Sequence, residues 1–445
     1  MSNEYPILNN NYIFRQYILK NKYKGVIYGL YDDFRFDINK NASEIISLFN
    51  GVNSTIEIHK LISTKYPKIN KKQIVFEINN VIDELFRNKI ISFRNNPLKK
   101  RILPKKIKMR SVLDNVYIRL TDQCNLKCKH CSVDANPYKN KKIKLKPIYK
   151  LIDEIYEMMV TTIIFTGGEP TLVTELPEII AYASKKPLKV VLMTNGLNIT
   201  KEYAILLVKN GLKQVNISLD GFKAISHDWF RGVQGAFRQA INAINHFTNL
   251  GILVETTTVV NKRNSLEYNE LLVLGQKKNL MQMKFLPIIP LKRGITCNYE
   301  ESFDIYEKNI SLFNTIYDDS QVIFKNMKKK VSSYTFRCSA GSSVIAINSN
   351  GDVLPCNNFE PIVLGNIYSN SLKNIYNYSN KIEILHKAIK IENSECENCN
   401  LLNYCHGGCA MVSYSYNNGI FNKCDITRKV VVENKLNKIN KEKVI

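Results

Sequence analysis

Residues 115–131 read NVYIRLTDQCNLKCKHC, an apolar alternating stretch that runs directly into three cysteines spaced C-x3-C-x2-C. Three thiolates in so short a loop form a soft donor set. They can hold three irons of a 4Fe-4S cluster and leave the fourth iron open to an outside ligand. A zinc site completed by His130 and a set of buried free thiols are the competing readings of the same residues.

Working outward, five further strand patterns follow: TTIIFT, KVVLMT, QVNISL, LVETTTVV and MQMKFLPII, with helical stretches between them. Strands alternating with helices predict an α/β fold with a parallel sheet and right-handed crossovers. Six units over 112–330 predict an open, partial (β/α)6 barrel. Chemistry in such folds gathers at the C-terminal ends of the strands, which is where CNLKCKHC, TGGEP, TNG and SLDG all fall.

The chain has 445 residues, enough for two or three cores, and a formal charge of +24. Lys, Asn and Ile are abundant throughout, so the charge reads first as a solvated surface. No basic stripe interleaved with aromatics suggests base stacking, which makes nucleic acid an unfavoured partner. The polar start and the lack of a long apolar stretch predict a cytoplasmic protein with no membrane span. Eleven cysteines in such a chain point to metal binding rather than disulfides.

Seven of the cysteines lie between Cys338 and Cys424. They run as Cys338, then Gly351-x4-Cys356, then Cys396-x2-Cys399-x5-Cys405-x3-Cys409, then Cys424. By themselves, such thiolates do not choose between zinc and iron. Residues 331–430 are the expected Cys-rich domain and 431–445 a polar tail. At the other end, 1–95 reads as a small α+β, winged-helix-like unit, with three extended stretches and then amphipathic helices. The basic, Pro-containing stretch 96–111 reads as a linker.

The first loop resembles the radical S-adenosylmethionine (SAM) signature C-x3-C-x-aromatic-C, with His130 at the aromatic position. Gly167-Gly168-Glu169-Pro170 is similar to the family's GGEP motif, whose carbonyls meet the SAM ammonium. The resemblance implies a SAM-bound 4Fe-4S cluster on Cys124, Cys128 and Cys131, and reductive cleavage of SAM to methionine and a 5'-deoxyadenosyl radical. It also implies contacts to SAM from Asn195, Ser218 and Arg231, with Asp220 nearby. Strand-end capping is the structural alternative for these residues.

The seven-cysteine order with Gly351 resembles the SPASM extension. That implies one auxiliary 4Fe-4S cluster on Cys338, Cys356 and Cys409, and another on Cys396, Cys399, Cys405 and Cys424, three clusters in all. The first auxiliary set lacks a fourth ligand. Cys297, or a substrate thiolate, is the candidate to complete it. Sulfatase-maturating relatives carry an Asp where Asn357 stands, and an amide takes no proton at neutral pH, which counts against that activity.

FDINKNASEIISLFNG, at a strand-to-helix junction in the N-terminal unit, resembles precursor-peptide recognition domains. FRGVQGAF and HKAIKIENSECENC resemble the sactipeptide synthases. Together these imply an enzyme that modifies a ribosomally made precursor peptide, most specifically by joining Cys sulfur to an α-carbon in bacteriocin maturation. Implied partners are that peptide, its leader held by 1–95, and a flavodoxin- or ferredoxin-type electron donor. Other thioethers, carbon-carbon crosslinks and epimerisation share the same first step. RNA modification and a zinc-stabilised interaction protein are the readings from other classes.

Overall fold

Runs of β-branched residues become strands where both faces find cover, and helices form where apolar residues recur every three or four positions. A computed structural model describes residues 4–19, 22–30, 34–98, 106–315, 338–392, 394–400, 402, 408–417 and 419. Cys405, Cys424 and the tail 431–445 lie outside the described residues. Two compact units divide the chain: Met1–Val112 with Glu157–Thr161, and Leu113–Tyr156 with Thr162–Ile445.

The first unit holds β1 (Tyr5–Leu8), β2 (Tyr12–Leu19), β3 (Lys22–Gly29), β4 (Arg35–Ile38), α1 (Lys40–Ile46), α2 (Thr55–Lys65), α3 (Lys71–Arg87), β5 (Ile91–Arg94) and β6 (Lys106–Lys108). Strands order as β4-β3-β2-β6 in one sheet and β1-β5 in a second. Ser54 caps α2 by a capping box with Glu57, which satisfies otherwise orphaned N–H groups reciprocally. Ile45, Ile58, Ile62, Ile74, Ile78 and Ile82 share one core with Phe14 and Ile27. The expected linker contributes β6, whose residues pair in parallel with Gln16–Ile18 of β2. Backbone pairing there prevails over a Lys-rich composition that gives no strand signal.

The second unit contains β7 (Asn115–Arg119), α4 (Leu145–Glu157), β8 (Thr162–Thr166), α5 (Leu176–Ser184), β9 (Lys189–Thr194), α6 (Lys201–Lys209), β10 (Gln214–Ser218), α7 (Ala224–Arg231), α8 (Ala236–Asn249), β11 (Leu253–Val259), α9 (Tyr268–Lys277) and β12 (Gln282–Leu286). All six strands pair in parallel in chain order, the partial barrel that the alternation predicts. Ile118, Ile163, Phe165, Leu192, Val215 and Ile217 are fully buried, while their alternating neighbours Tyr117, Arg119, Asn216 and Glu255 form the opposite, more polar face.

After α10 (Tyr299–Thr315), the sheet continues. β13 (Val344–Ile347) pairs in parallel with β7, and β14 (Asp352–Leu354) and β15 (Gly365–Asn366) extend it to nine strands. The Cys-rich region is therefore grafted onto the barrel edge through backbone hydrogen bonds. α11 (Leu372–Tyr378) and α12 (Asn380–Ala388) follow. Among the described residues, no helix is long and apolar enough to cross a membrane.

Candidate active site at the barrel rim

The β7–β8 ladder does not stop at the strand ends. Leu120 N donates to Thr166 O at 2.9 Å, Gly168 N to Thr121 O at 2.7 Å and Glu169 N to Gln123 O at 2.8 Å. The glycine loop thus lies flat on the backbone that leads into Cys124. A Cβ on Gly168 would stand 2.0 Å from Gln123 O, and one on Gly167, with φ of +143°, 2.4 Å from Thr121 O. Only glycine tolerates that approach. The pair is required by the close approach of the cysteine loop.

Glu169 turns inward instead of facing solvent. It is 1% exposed, and its carboxylate accepts from Thr194 Oγ1 at 2.6 Å, Asn195 N at 2.8 Å, Thr171 Oγ1 at 2.7 Å and Thr171 N at 3.1 Å. Burial raises its pKa and these four donors oppose that rise. The residue bolts the end of β9 to the end of β8, which sets Asn195 against the cluster loop. Asn195 Nδ2 donates to Asn125 Oδ1 at 2.8 Å and points at Cys124 Sγ at 3.8 Å.

The other side of the loop is held from α7. Lys127 N and Lys129 N donate to the carbonyls of Arg231 and Phe230, and Arg231 Nη1 donates to Cys128 Sγ at 3.7 Å. Arg231 Nε lies 2.6 Å from the buried Asp220 at the end of β10, so this guanidinium joins a strand end to a thiol. His227, whose Nδ1 accepts from Asp220 N at 3.0 Å, is pushed down to about 3 by burial and then by Arg231, and stays neutral. His130 stacks on Phe230 with ring centroids 4.1 Å apart. Ser218 ends β10, half-buried.

Arg293, in the loop after β12, is a clamp that no spacing rule signals. Its Nε donates to Cys128 O, Nη1 to Asp134 Oδ1 and Nη2 to Ala135 O, each at 2.8 Å. A planar guanidinium can fix three acceptors at once, so one side chain locks both arms of the cysteine loop.

Cys124 and Cys128 are buried, and Cys131 is half-buried. Burial, then the Glu169 carboxylate, pushes the Cys124 thiol up to about 12, and burial likewise raises Cys128 against the pull of Arg231. Such thiols stay protonated until a metal displaces the proton. The donor set fits an iron-sulfur cluster. The three sulfurs lie within electrostatic reach of one another, and N–H donors from Asn195 and Arg231 aim at two of them. Among the described residues, no three His, Cys, Asp or Glu side chains close on one point as a single metal ion needs. A cubane presents its irons at separate corners.

Cys338, Cys356 and Cys409 meet in a second setting. All three pack against an apolar core that includes Leu291, Phe359, Leu385 and Met411. Burial pushes Cys356 up to about 12; a hydrogen bond from the Asn358 backbone N–H opposes that rise, and Cys338 and Cys409 add to it. Cys297 is not in this group; it lines a cavity beside the first loop. Cys396 and Cys399 share a turn, Cys399 N donating to Cys396 O at 3.3 Å.

The two settings touch. Ser132, next to Cys131, donates to Asn358 Oδ1 at 3.0 Å. Arg119, at the end of β7, donates to Asn357 Oδ1 at 3.0 Å, to Asn357 O and to Glu360 Oε1 at 2.8 Å. Asn357, directly after Cys356, is thus held by the barrel.

Residues 118–272 match the radical SAM superfamily, and residues 338–400 match the SPASM iron-sulfur cluster-binding domain. The chain carries a radical SAM domain and a SPASM domain. It is 27% identical over 401 residues to the antilisterial bacteriocin subtilosin biosynthesis protein AlbA of Bacillus subtilis, covering 86% of this chain and 87% of that one. It is also 27% identical to an AdoMet-dependent heme synthase of Nitratidesulfovibrio vulgaris, over 66% of this chain and 87% of the relative. Among solved structures, the crystal structure of Streptococcus suis SuiB bound to precursor peptide SuiA aligns with 95% of this chain and 99% of its own, at a TM-score of 0.68 and 15% identity. At that identity the likeness shows the fold.

Proposed function

We propose that this protein modifies a ribosomally made precursor peptide by joining Cys sulfur to an α-carbon, within the maturation of a bacteriocin-type product. The observation that carries the reading is the likeness to the subtilosin biosynthesis protein, which spans 86% of the chain. The heme synthase likeness covers only 66%. Two cysteine groups on adjoining loops would hold the clusters such a reaction needs, one to start a radical and another to take up an electron.

Cys124, Cys128 and Cys131 would hold the SAM cluster, Cys338, Cys356 and Cys409 one auxiliary cluster, and Cys396, Cys399, Cys405 and Cys424 the other. When bound, these groups with SAM supply hydrogen abstraction and electron removal. This chain's own residues position them. The Gly167–Gly168 carbonyls, Asn195, Ser218 and Arg231 would frame a SAM site, with Glu169 and Pro170 shaping its turn. Arg293 and Arg119 fix the two cysteine loops.

In the first unit, β4 is an outer strand with Arg35, Phe36 and Asp37 exposed. A groove of about 340 Å³ between α1, α2 and α3 is lined by Ile45, Ile62, Ile74 and Ile78. An outer strand near an apolar groove suits a leader peptide added as a strand.

The test is mass spectrometry of a Cys-containing precursor after anaerobic incubation with reconstituted enzyme, SAM and a flavodoxin- or ferredoxin-type donor. Loss of two hydrogens per crosslink, with Cys that no longer alkylates, is the expected result. Unchanged mass with deuterium gained from heavy water would replace the reading by epimerisation.

A further inference from the structure

A cavity of about 920 Å³ opens beside the cluster loop. Its lining is cationic. Lys127 and Lys129, exposed on either side of Cys128, meet Arg293 and, from the loop after β11, Lys262 and Arg263. Two of these cations already face carboxylates, Arg293 the Asp134 that it shares with Lys139, at 2.8 Å, and Lys262 Glu301 at 3.5 Å.

Lys129 and Arg263 are different. Both sit over the ring of Trp229, 5.0 Å and 4.8 Å from its centroid, and among the described residues neither pairs with a carboxylate. The indole face compensates each cation only weakly at an exposed site. Two like charges gathered on one ring favour an anion near both, which relieves their repulsion and gains charge-assisted hydrogen bonds. Trp229 itself is 42% exposed, so apolar contact is available next to the charge. The volume lies near the top of the range for ligand sites, roughly 300–1,000 Å³, more than a lone carboxylate fills.

We infer that this cavity binds an acidic segment of the peptide being modified, with an Asp or Glu carboxylate on Lys129 and Arg263 and a neighbouring side chain against Trp229. The inference rests on the peptide-modifying reading above and names its substrate class. Because Lys129 directly follows Cys128, a peptide anchored here lies along the loop that carries the first cysteine group.

Trp229 is the single tryptophan of the chain, so its fluorescence reports this cavity alone. The reconstituted full-length enzyme is titrated with two short Cys-containing peptides that differ only in having Asp or Asn at the same positions. The Asp peptide should shift the emission and bind about tenfold more tightly, and added salt should shrink that preference. The double variant K129Q/R263Q should lose the preference while still binding the Asn peptide, which also shows that it folds. Equal binding of the two peptides overturns the inference, as does a preference that survives in the double variant. So does a SAM-induced shift that blocks the Asp peptide, because the cavity would then belong to SAM. Mass spectrometry of the wild type separates the two claims. Acid preference without crosslinks keeps this site and retires the proposed bond; crosslinks without acid preference do the reverse.

Discussion

The two cysteine triads both pack against apolar side chains, and they differ in the polar groups added to that bed. Cys124, Cys128 and Cys131 pack with Leu126, Ala135 and Ala236 and are gripped besides by polar groups: amide and guanidinium N–H aimed at sulfur, and Arg293 across the loop backbone. Cys338, Cys356 and Cys409 are bedded in aliphatic and aromatic side chains, with Ala340 N donating to Cys338 Sγ at 3.5 Å. Hydrogen bonds to sulfur and exposure both tune a cluster's potential. A polar, clamped loop suits a cluster that must meet and release an outside ligand. An apolar bed suits one that stores or passes an electron.

The largest expected effect breaks the first triad. Cys128→Ala should reduce 5'-deoxyadenosine formation to background and remove about four irons per chain; persistent cleavage of SAM would mean that the loop is misassigned. Next comes the second triad. Cys356→Ala should also lose about four irons, yet keep SAM cleavage while product disappears from the mass spectrum. If both variants lose both activities, the division of labour fails.

Smaller effects sharpen the contrast. Arg293→Ala should speed the loss of cluster iron to a chelator about tenfold, the equivalent of about 1.4 kcal/mol, while sparing the second triad. Arg293→Lys should rescue little, because an ammonium lacks the planar fork that reaches three acceptors. Glu169→Gln should cost about 1–3 kcal/mol by placing an amide among donors that need an acceptor, seen as a lower denaturation midpoint. The raised thiol pKa values set a pH trend. Protons must leave Cys124 and Cys356 before iron binds, so loading of the apoprotein should accelerate from pH 7 to pH 9. A flat profile would mean that deprotonation does not limit assembly.

The apoprotein itself should respond in the opposite sense. A thiol whose folded pKa lies above its unfolded value contributes stability below the unfolded value and loses it as pH rises through the folded one. Apoprotein stability should therefore decline above about pH 9, a direction that calorimetry of metal-free protein would check.

Much of this molecule is legible in the chain because its signals are local. The six strands carry their own apolar alternation, Ser54 and Glu57 announce a helix start, and C-x3-C-x2-C is a spacing along one loop. Gly167 and Gly168 are visible as a motif, but their reason is not: the carbonyls that forbid a side chain there belong to Thr121 and Gln123, more than forty residues earlier. β13 and β6 escaped for a related reason. Each is short, and each exists because a distant strand offers its backbone, Asn115–Ile118 for one and Gln16–Ile18 for the other.

What the sequence by itself determined was the barrel, the donor atoms and the order of the two cysteine groups, since periodicity and spacing are properties of neighbours. Tertiary structure alone decided that Arg231 joins Asp220 to Cys128, that Arg293 clamps the loop, that Arg119 holds Asn357, and that Lys129 and Arg263 share one indole. Those contacts link residues separated by 11 to 238 positions, and no local pattern encodes which loops a folded barrel will bring to the same rim.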